Sequence, residues 1–578
     1  MKGNAKLRMS YCHRGGKEAL LGATIPDHFA DVVARFRDQE AVVCLPQKRR
    51  LTYGGLAAEV DRLSRGLLAL GFAAGDRIGV WSTNNIEWLV LQMATARIGA
   101  VLVNINPAYR PRELAYVLER AEINGLFLIP AFRTSDYLAM ITECVAELAD
   151  AVAREGAIGS RDYPHLRRVV LFDPTAPEAT ERPAAWPGLM IWQEVLAAGE
   201  DVPMAELDAA TALLDRDDPI NIQFTSGTTG FPKAVVLTHH NILNNAYFSA
   251  KALGFTEADR LCVPVPFYHC FGMVLANLLC LAVGAALVLP SEHFDAAAVL
   301  GAIASERCTA VHGVPTMFIA ELEQPDFSKF DLSSLRTGIM AGAPCPEPLM
   351  RRVMEDMHCP EVLIGYGETE ASPLTHLTAR DDSIECRTQT VGRNLPHQEV
   401  KVVEVASRRT LPCGEIGEIC FRGHHIMRGY YNDPDATAKA IDDAHWLASG
   451  DLGTMDEDGY VRITGRLKEM IIRGGENIYP REIEDWLFAH PKISQAAVFG
   501  VPDEFYGEEI AAWVELHPGE TMNEAELRDY CVEGLAHFMV PKYIRFVTEF
   551  PMTVTGKLQK FRMRATEMEN LGIATETD

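Results

Sequence analysis

The sequence lacks the patterns of a disulfide-stabilised, zinc-binding or nucleic-acid-binding protein. Its 13 cysteines are scattered through 578 residues, with no Cys-x-x-Cys pair and no cysteine–histidine cluster at zinc spacing. This usage is typical of a reduced compartment, expected here to be the cytoplasm, and it implies no structural metal. Lys and Arg number 54 against 79 Asp and Glu, so the net charge of −25 argues against nucleic acid or an anionic membrane as a partner.

Long apolar segments are also scarce. The uncharged run over residues 271–289 approaches the length of a membrane span, but Asn277 lies inside it, Gly284 interrupts it and Pro290 follows it. It is therefore predicted to be a helix of about three turns followed by a short buried strand. We expect no integral membrane segment, and the basic N-terminus leads into no apolar stretch of a secretion signal.

The composition and the pattern of segments are those of a large α/β enzyme. Its 48% hydrophobic and 23% charged residues are ordinary for a globular enzyme, and its length requires several packed units. Short apolar segments alternate with helical patterns, which favours parallel sheet with crossover helices. The predicted strands are 41–43, 50–53, 77–81, 101–103, 168–172, 261–264, 285–289, 310–313, 337–341 and 361–364, and helices are predicted over 53–70 and 86–99. Short alternating strands over 391–422 predict a small β subdomain.

One polar loop lies between two short apolar strands. It reads Thr225-Ser226-Gly227-Thr228-Thr229-Gly230-Phe231-Pro232-Lys233. Its glycines let backbone N–H groups turn inward, its hydroxyls donate, and its lysine adds a point charge, which suits a phosphate. A solvated hairpin turn uses similar residues. The usual P-loop pattern is absent, because proline stands where the second glycine belongs and alanine follows the lysine.

The loop resembles the phosphate loop of the adenylate-forming enzymes, the superfamily of acyl-CoA synthetases, beetle luciferases and peptide-synthetase adenylation domains. Further segments resemble that family's motifs, in the family's order, over nearly the whole chain. The sequences of these motifs are most similar to those of bacterial acyl-CoA synthetases of medium-chain and fatty acids. These segments are 267–272 around His269, 341–344, 365–370, 446–451, 465–469, 473–480 and 551–557.

The resemblance implies a role for each motif residue. Lys557, His269 and Glu370 would act in catalysis, and Glu370 and Thr225 would bind Mg²⁺. Tyr366 would stack on adenine, Asp451 and Arg466 would hold the ribose, Lys468 would be the hinge, and Gly474 and Gly475 would border the pantetheine tunnel. The residues expected to contact ATP or CoA are Thr225, Ser226, Gly227, Thr228, Thr229, Gly230, Lys233, Gly342, Ala343, Pro344, Tyr366, Gly367, Thr369, Asp451, Arg466, Lys468, Arg473, Gly474 and Gly475.

The implied protein is an ATP-dependent acid–CoA ligase that uses ATP, Mg²⁺ and CoA. Its fold class would be α/β, with a large N-terminal domain of several subdomains over residues 1–467 and a small mobile α+β C-terminal domain over 468–578. The acyl pocket is expected near 269–272, 311–318 and 338–342, whose small and apolar residues suit an apolar acid. No residue stands out as a base for the thiol.

Other functions stay open at this point. An adenylation enzyme could load a carrier protein or stop at the acyl adenylate, and the apolar run could belong to a membrane-associated fatty-acid transport protein. Nothing in the sequence favours a luciferase. The sequence does not identify the acid, and it leaves open whether the protein forms a homodimer.

Overall fold

A computed structural model describes residues 6–149, 158–178, 186–225, 232–474, 476–552 and 558–573. The chain divides into two compact units. The larger comprises His13–Glu399 and Phe421–Leu447, and the smaller comprises Met1–Cys12, Val400–Cys420 and Ala448–Asp578.

The strands and helices follow one another in mixed order along the chain. The strands are β1 Tyr11–Arg14, β2 Glu40–Cys44, β3 Arg49–Thr52, β4 Arg77–Trp81, β5 Val101–Ile105, β6 Gly125–Leu128, β7 Ala131–Phe132, β8 Ser135–Asp136, β9 Arg168–Leu171, β10 Met190–Ile191, β11 Pro219–Thr225, β12 Lys233–Thr238, β13 Arg260–Cys262, β14 Ala286–Leu289, β15 Ala310–Gly313, β16 Thr337–Ala341, β17 Glu361–Gly367, β18 Leu374–Leu377, β19 Arg393–Asn394, β20 Gln398–Val403, β21 Gly417–Gly423, β22 Gly429–Tyr430, β23 Leu447–Met455, β24 Val461–Arg466, β25 Ile471–Arg473, β26 Glu476–Ile478, β27 Ile493–Asp503, β28 Gly507–Leu516 and β29 Tyr543–Phe546. The helices are α1 Ile25–Phe36, α2 Tyr53–Ala69, α3 Ile86–Ile98, α4 Pro111–Arg120, α5 Tyr137–Cys144, α6 Trp192–Ala198, α7 Met204–Thr211, α8 His239–Leu253, α9 Cys270–Gly272, α10 Leu279–Val283, α11 Ala296–Glu306, α12 Pro315–Leu322, α13 Glu347–Glu355, α14 Ile384–Gln389, α15 Pro434–Ala440, α16 Pro480–Phe488, α17 Glu524–Gly534 and α18 Lys560–Leu571.

Two large sheets form the larger unit. The first has the order β10-β9-β6-β4-β5-β11-β12-β22, and β4, β5, β6, β9, β10 and β11 run parallel within it. The second has the order β19-β18-β17-β16-β15-β13-β14-β2-β3, with a parallel centre from β17 to β2. The predicted parallel sheets are therefore confirmed. Ligands of such sheets bind beyond the carboxyl ends of the strands.

The α3 helix illustrates how local sequence sets these elements. The side chain of Asn85 accepts a hydrogen bond from the Trp88 N–H and caps the helix start. Gly99 adopts φ +74° and ends the helix in the left-handed conformation that glycine tolerates. Nearly every residue between them is buried, because α3 packs among α1, α2, α7 and β5.

The apolar run over residues 271–289 forms a helix and a strand, as predicted. The helix consists of α9, a π-helical turn over Met273–Leu278 and α10, and Gly284 ends it before β14. The π-helical turn was not predicted from the sequence. No helix within the described ranges is long and apolar enough to cross a membrane.

The smaller unit is an α+β structure. It contains a sheet of order β1-β20-β21-β23-β24, and a second sheet in which β26, β25, β28 and β27 follow one another and β29 joins β28. The α16 and α17 helices pack with the second sheet around a core that includes Ile483, Val498 and Leu527. A second cluster, which includes Trp513 and Met563, lies between this sheet and α18. The predicted α/β fold with a smaller α+β C-terminal domain is confirmed.

Candidate active site

The predicted phosphate loop connects the two strands of an antiparallel hairpin. β11 ends at Thr225, β12 begins at Lys233, and these two residues face each other across the pair. The Tyr116 hydroxyl donates to the Pro232 carbonyl oxygen over 3.0 Å, which anchors the second arm. Both ends of the loop therefore lie at one end of one hairpin. Ser226, Gly227, Thr228, Thr229 and Gly230 lie outside the described residues.

Tyr430 joins this hairpin to the predicted Mg²⁺ ligand. Its hydroxyl donates to Glu370 Oε1 over 2.9 Å, and the Lys233 ammonium lies 4.6 Å from the centre of its ring. Burial and the Glu370 carboxylate raise the pKa of Tyr430 well above its usual range, so the phenol stays protonated and donates. Sequence reasoning missed Tyr430, because a tyrosine in a short glycine-containing strand carries no catalytic pattern.

Two adjacent parallel strands bring the predicted adenine-side residues together. Ala341 of β16 pairs with Gly365 of β17, so the residues that follow each strand are neighbours. The Tyr366 ring lies 5.9 Å from the ring of His376 and 6.1 Å from that of Phe421, measured between centroids. This packing orients the Tyr366 ring at the strand end.

Two of the predicted glycines are required by the backbone. Gly342 follows β16 with φ +87°, in the left-handed region, and the next residues, Ala343 and Pro344, are exposed. A Cβ at Gly367 would lie 1.8 Å from the Pro373 carbonyl oxygen, so only glycine fits there. At Gly367, the absence of a side chain lets the strand end approach the Pro373 backbone.

His269 lies close to Thr369, at the end of a different strand. His269 Nδ1 accepts a hydrogen bond from the Phe271 N–H over 3.2 Å and so caps α9. The Cys270 sulfur lies 3.6 Å from that Nδ1 and 3.7 Å from Thr369 Oγ1. Asn104, near the end of β5, donates to the Tyr268 carbonyl oxygen over 3.1 Å. The predicted carboxylate-side and phosphate-side residues therefore occupy one cluster.

His312 supports this cluster from within the core; it lies in the segment 311–318 expected near the acyl pocket, but the sequence did not single it out. Its Nε2 lies 3.0 Å from the Leu275 carbonyl oxygen in the π-helical turn, and its Nδ1 accepts from the Ile339 N–H on β16 over 3.1 Å. Since Nδ1 accepts, Nε2 carries the proton and the ring is neutral. Burial lowers the pKa of His312 to about 4. The neutral ring thus ties the helix behind His269 to the strand that ends beside Gly342.

Within the smaller unit, the structure brings Asp451 and Arg466 together. The two residues face each other across β23 and β24, and Arg466 Nε lies 3.2 Å from Asp451 Oδ1. The Asp451 carboxylate is buried, whereas Arg466 is largely exposed. A carboxylate can accept hydrogen bonds on both oxygens, which is the requirement for holding two ribose hydroxyls.

The predicted hinge, Lys468, and the predicted glycine segment come after β24 in the chain. Lys468 is exposed in a turn after β24. The Arg473 guanidinium pairs with Glu509 at 2.7 Å and lies 4.1 Å from the centre of the Tyr506 ring, so its charge is already partnered by protein groups. Gly474 adopts φ +60° and donates its N–H to the Tyr506 carbonyl oxygen. Gly475 lies outside the described residues.

The predicted catalytic lysine also falls outside the described residues, in the segment 553–557, but its flanks are fixed. Met552 and Leu558, on either side of that segment, form an antiparallel bridge. Just beyond, Lys560 Nζ lies 2.8 Å from Glu484 Oε1 and 3.1 Å from Glu469 Oε2. We call these three side chains the Lys560 triad. It ties the start of α18 to the residue that follows Lys468.

Known proteins match the chain over most of its length. Residues 29–431 match the AMP-binding enzyme family, and residues 482–557 match the AMP-binding enzyme C-terminal domain. The Bacillus subtilis protein YngI is 44% identical over 556 residues, which cover 96% of this chain and 99% of that protein. The mitochondrial medium-chain acyl-CoA ligase ACSF2 of Danio rerio is 40% identical over 569 residues, which cover 98% of this chain and 92% of that protein.

Among solved structures, the anthranilate CoA ligase AuaEII in complex with anthranoyl-AMP has a similar fold. It superposes with a TM-score of 0.81 at 25% sequence identity, and the match covers 96% of this chain and 99% of that one. The resemblance to adenylate-forming acyl-CoA synthetases is thereby confirmed. The chain belongs to the AMP-binding enzyme family.

Proposed function

We propose that this enzyme is an AMP-forming acid–CoA ligase that activates an apolar, medium- or long-chain carboxylic acid. In the first step, the carboxylate attacks the α-phosphate of ATP, and pyrophosphate leaves as the acyl adenylate forms. In the second step, the thiolate of CoA attacks the acyl carbonyl, and AMP leaves as the thioester forms. The fatty acyl group would then be committed to lipid metabolism.

One observation carries this proposal. Tyr430 contacts both Lys233, at the base of the hydroxyl-rich loop, and Glu370, at the end of β17. Thr369, next to Glu370, reaches His269 through the Cys270 side chain. A cation and hydroxyl donors for phosphates therefore lie in the same cluster as a histidine suited to a carboxylate.

The donor set at Glu370 fits Mg²⁺. The Glu370 carboxylate and the Thr225 hydroxyl would offer hard oxygen ligands, and Mg²⁺ is typically held by one or two carboxylates plus substrate phosphates. The bound ion would neutralise charge on the phosphate oxygens. Glu370 is the residue expected to hold it.

Lys557 is the proposed catalytic residue of the first step. Its ammonium would bridge the attacking carboxylate and the α-phosphate and stabilise the charge that develops between them. The residues of the loop from Thr225 to Lys233 would hold the β- and γ-phosphates. Tyr366 would stack on adenine, with the segment from Gly342 to Pro344 beside it, and Asp451 and Arg466 would bind the ribose.

For the second step, we propose rotation about Lys468 between domains 1–467 and 468–578. Rotation would withdraw Lys557 and present the backbone of Gly474 and Gly475 to pantetheine, since glycine permits close backbone approach. Lys468→Pro would restrict the hinge dihedrals and trap one state. Normal rates of both half-reactions in that variant would contradict the assignment.

The acid is proposed to be apolar because the segments expected to form the acyl pocket are largely apolar. Residues 311–318 include the buried side chains of Val311, Val314, Met317 and Phe318, and apolar linings recognise apolar ligands. The relative named as a medium-chain acyl-CoA ligase supports the same substrate class. We propose that the enzyme is cytoplasmic. A homodimer is the oligomeric state to be tested.

The test is pyrophosphate release across a panel of acids. Straight-chain acids from acetate to palmitate, together with benzoate and cinnamate, are supplied with ATP and Mg²⁺, each with and without CoA. An acyl-CoA product identified by mass establishes the ligase and ranks its acids. Adenylate without thioester points to a carrier protein or to an enzyme that stops at acyl-AMP, and no turnover with any acid overturns the proposal.

A further inference from the structure

We infer that Tyr430 is a positioning residue that orients the Glu370 carboxylate for metal binding and keeps Lys233 available to phosphates. This inference rests on the proposed function of the site. Tyr430 lies outside the motif segments given above, and its contacts identify it. Its hydroxyl donates to Glu370 Oε1 over 2.9 Å, and its ring lies 4.6 Å from the Lys233 ammonium.

The Tyr430 side chain is itself rigidly held. β22 pairs with β12, which sets Tyr430 opposite Val235. The Tyr430 N–H donates to Thr437 Oγ1 over 2.9 Å, and only 9% of the residue is exposed. Because the ring is fixed by its backbone and by burial, its hydroxyl has a fixed position, and so has the carboxylate oxygen that accepts from it.

The Tyr430 hydroxyl gives the two oxygens of the Glu370 carboxylate different roles. Oε1 accepts from Tyr430, and we assign the cation to Oε2. Hydrogen bonds of this kind fix the orientation of a metal-binding carboxylate, and their loss typically lowers metal affinity by about 10- to 100-fold. The backbone of the same residue is also fixed, since the Met427 N–H donates to the Glu370 carbonyl oxygen over 2.8 Å.

The ring serves Lys233 in a different way. An aromatic face attracts a cation through its quadrupole but carries no net charge. Lys233 is therefore held in place without the neutralisation that a direct carboxylate partner would bring. Its positive charge stays available for a phosphate.

The neighbouring tyrosine provides a matched control. The Tyr431 hydroxyl donates to Glu122 Oε2 over 2.8 Å, so it too holds a carboxylate, but Glu122 belongs to no predicted motif. Tyr430→Phe and Tyr431→Phe each remove one hydroxyl from adjacent positions. Tyr430→Phe retains the ring over Lys233, so it isolates the contribution of the hydroxyl.

The experiment measures binding of α,β-methylene ATP by calorimetry, over a range of Mg²⁺ concentrations and in EDTA. For Tyr430→Phe we expect the half-saturating Mg²⁺ concentration to rise by about 10-fold, with binding in EDTA unchanged. Tyr431→Phe should behave as the wild type in both conditions. Tyr430→Leu, which also removes the ring from Lys233, should weaken binding in EDTA as well.

Three results would overturn the inference. The first is an unchanged Mg²⁺ dependence in Tyr430→Phe, and the second is an equal loss with Mg²⁺ and in EDTA. The third comes from the Glu370→Gln background, where adding Tyr430→Phe should have no further effect on Mg²⁺-dependent binding if the hydroxyl acts through Glu370. A further loss there would mean that the tyrosine acts through the fold, and this comparison holds even if Tyr430→Phe lowers thermal stability. If the wild type itself binds the analogue without any Mg²⁺ dependence, the proposed metal role of Glu370 fails first.

Discussion

His312 should make this enzyme sensitive to mild acid. The ring is fully buried between the π-helical turn and β16, and its Nδ1 accepts from the Ile339 N–H. Protonation would place a second N–H against that donor and a charge in the core, so the folded state resists it. His312→Gln is the informative substitution, because its amide can donate to the Leu275 carbonyl oxygen and accept from Ile339 without titrating.

The size of the effect follows from the pKa of His312. Burial lowers it to about 4, against 6.5 for the exposed side chain. Below pH 6.5 the unfolded chain binds the proton and the folded chain does not, so the free energy of unfolding falls as the pH falls, until the pH reaches about 4. Between pH 7.5 and pH 5, this one residue should lower the free energy of unfolding by about 2 kcal/mol.

The assay compares urea unfolding of the wild type and His312→Gln at pH 7.5 and pH 5. We expect the variant to be less stable at pH 7.5 by about 1 kcal/mol, and the difference to shift by about 2 kcal/mol in favour of the variant at pH 5. Other buried histidines are present in both proteins, so their contributions cancel. An equal difference at the two pH values would refute the reasoning. His165→Gln, at an exposed position, serves as the control for replacing a histidine by glutamine.

Three further predictions concern the strand packing and the C-terminal domain. Lys560→Met leaves two carboxylates of its triad without their cation and should lower stability by about 2 kcal/mol in urea unfolding, between the costs of exposed and buried pairs. Gly338→Ala should cost about 3 kcal/mol or more, because its Cβ would lie 1.8 Å from the Val311 carbonyl oxygen. Lys557→Ala should slow adenylation by at least about 10²-fold while sparing thioester formation from supplied acyl-AMP.

Each of these has a control and a contrary outcome. Lys542→Met removes an exposed lysine with one carboxylate partner, Asp503, and should cost less than about 1 kcal/mol. If Lys542→Met lowers the free energy of unfolding as much as Lys560→Met does, the Lys560 triad contributes no more than an exposed ion pair. Gly301→Ala lies in a helix with room for a methyl group and should be neutral or stabilising, whereas a fully stable Gly338→Ala would contradict the strand packing. Equal loss of both half-reactions in Lys557→Ala would contradict its assignment.

The sequence alone predicted much of the fold, because the strands of parallel sheets are short and almost wholly apolar. The predicted ranges 77–81, 310–313 and 337–341 coincide with β4, β15 and β16. The predicted helix 86–99 likewise matches α3, which Asn85 caps and Gly99 ends in the structure. The sequence did not reveal the order of strands in the sheets, since strand order depends on pairings between segments far apart in the chain.

The same distinction holds for the site. Motif residues could be chosen from the sequence because glycine, hydroxyl and carboxylate groups at strand ends have a local chemical meaning, as at Tyr366 and Glu370. Tyr430 and His312 could not, because a tyrosine in a short strand and a histidine in an apolar strand carry no such pattern. Their roles come from three-dimensional contacts with distant segments. Only the tertiary structure decides which carboxylate a phenol reaches and which backbone groups share one imidazole, since those distances are set by packing.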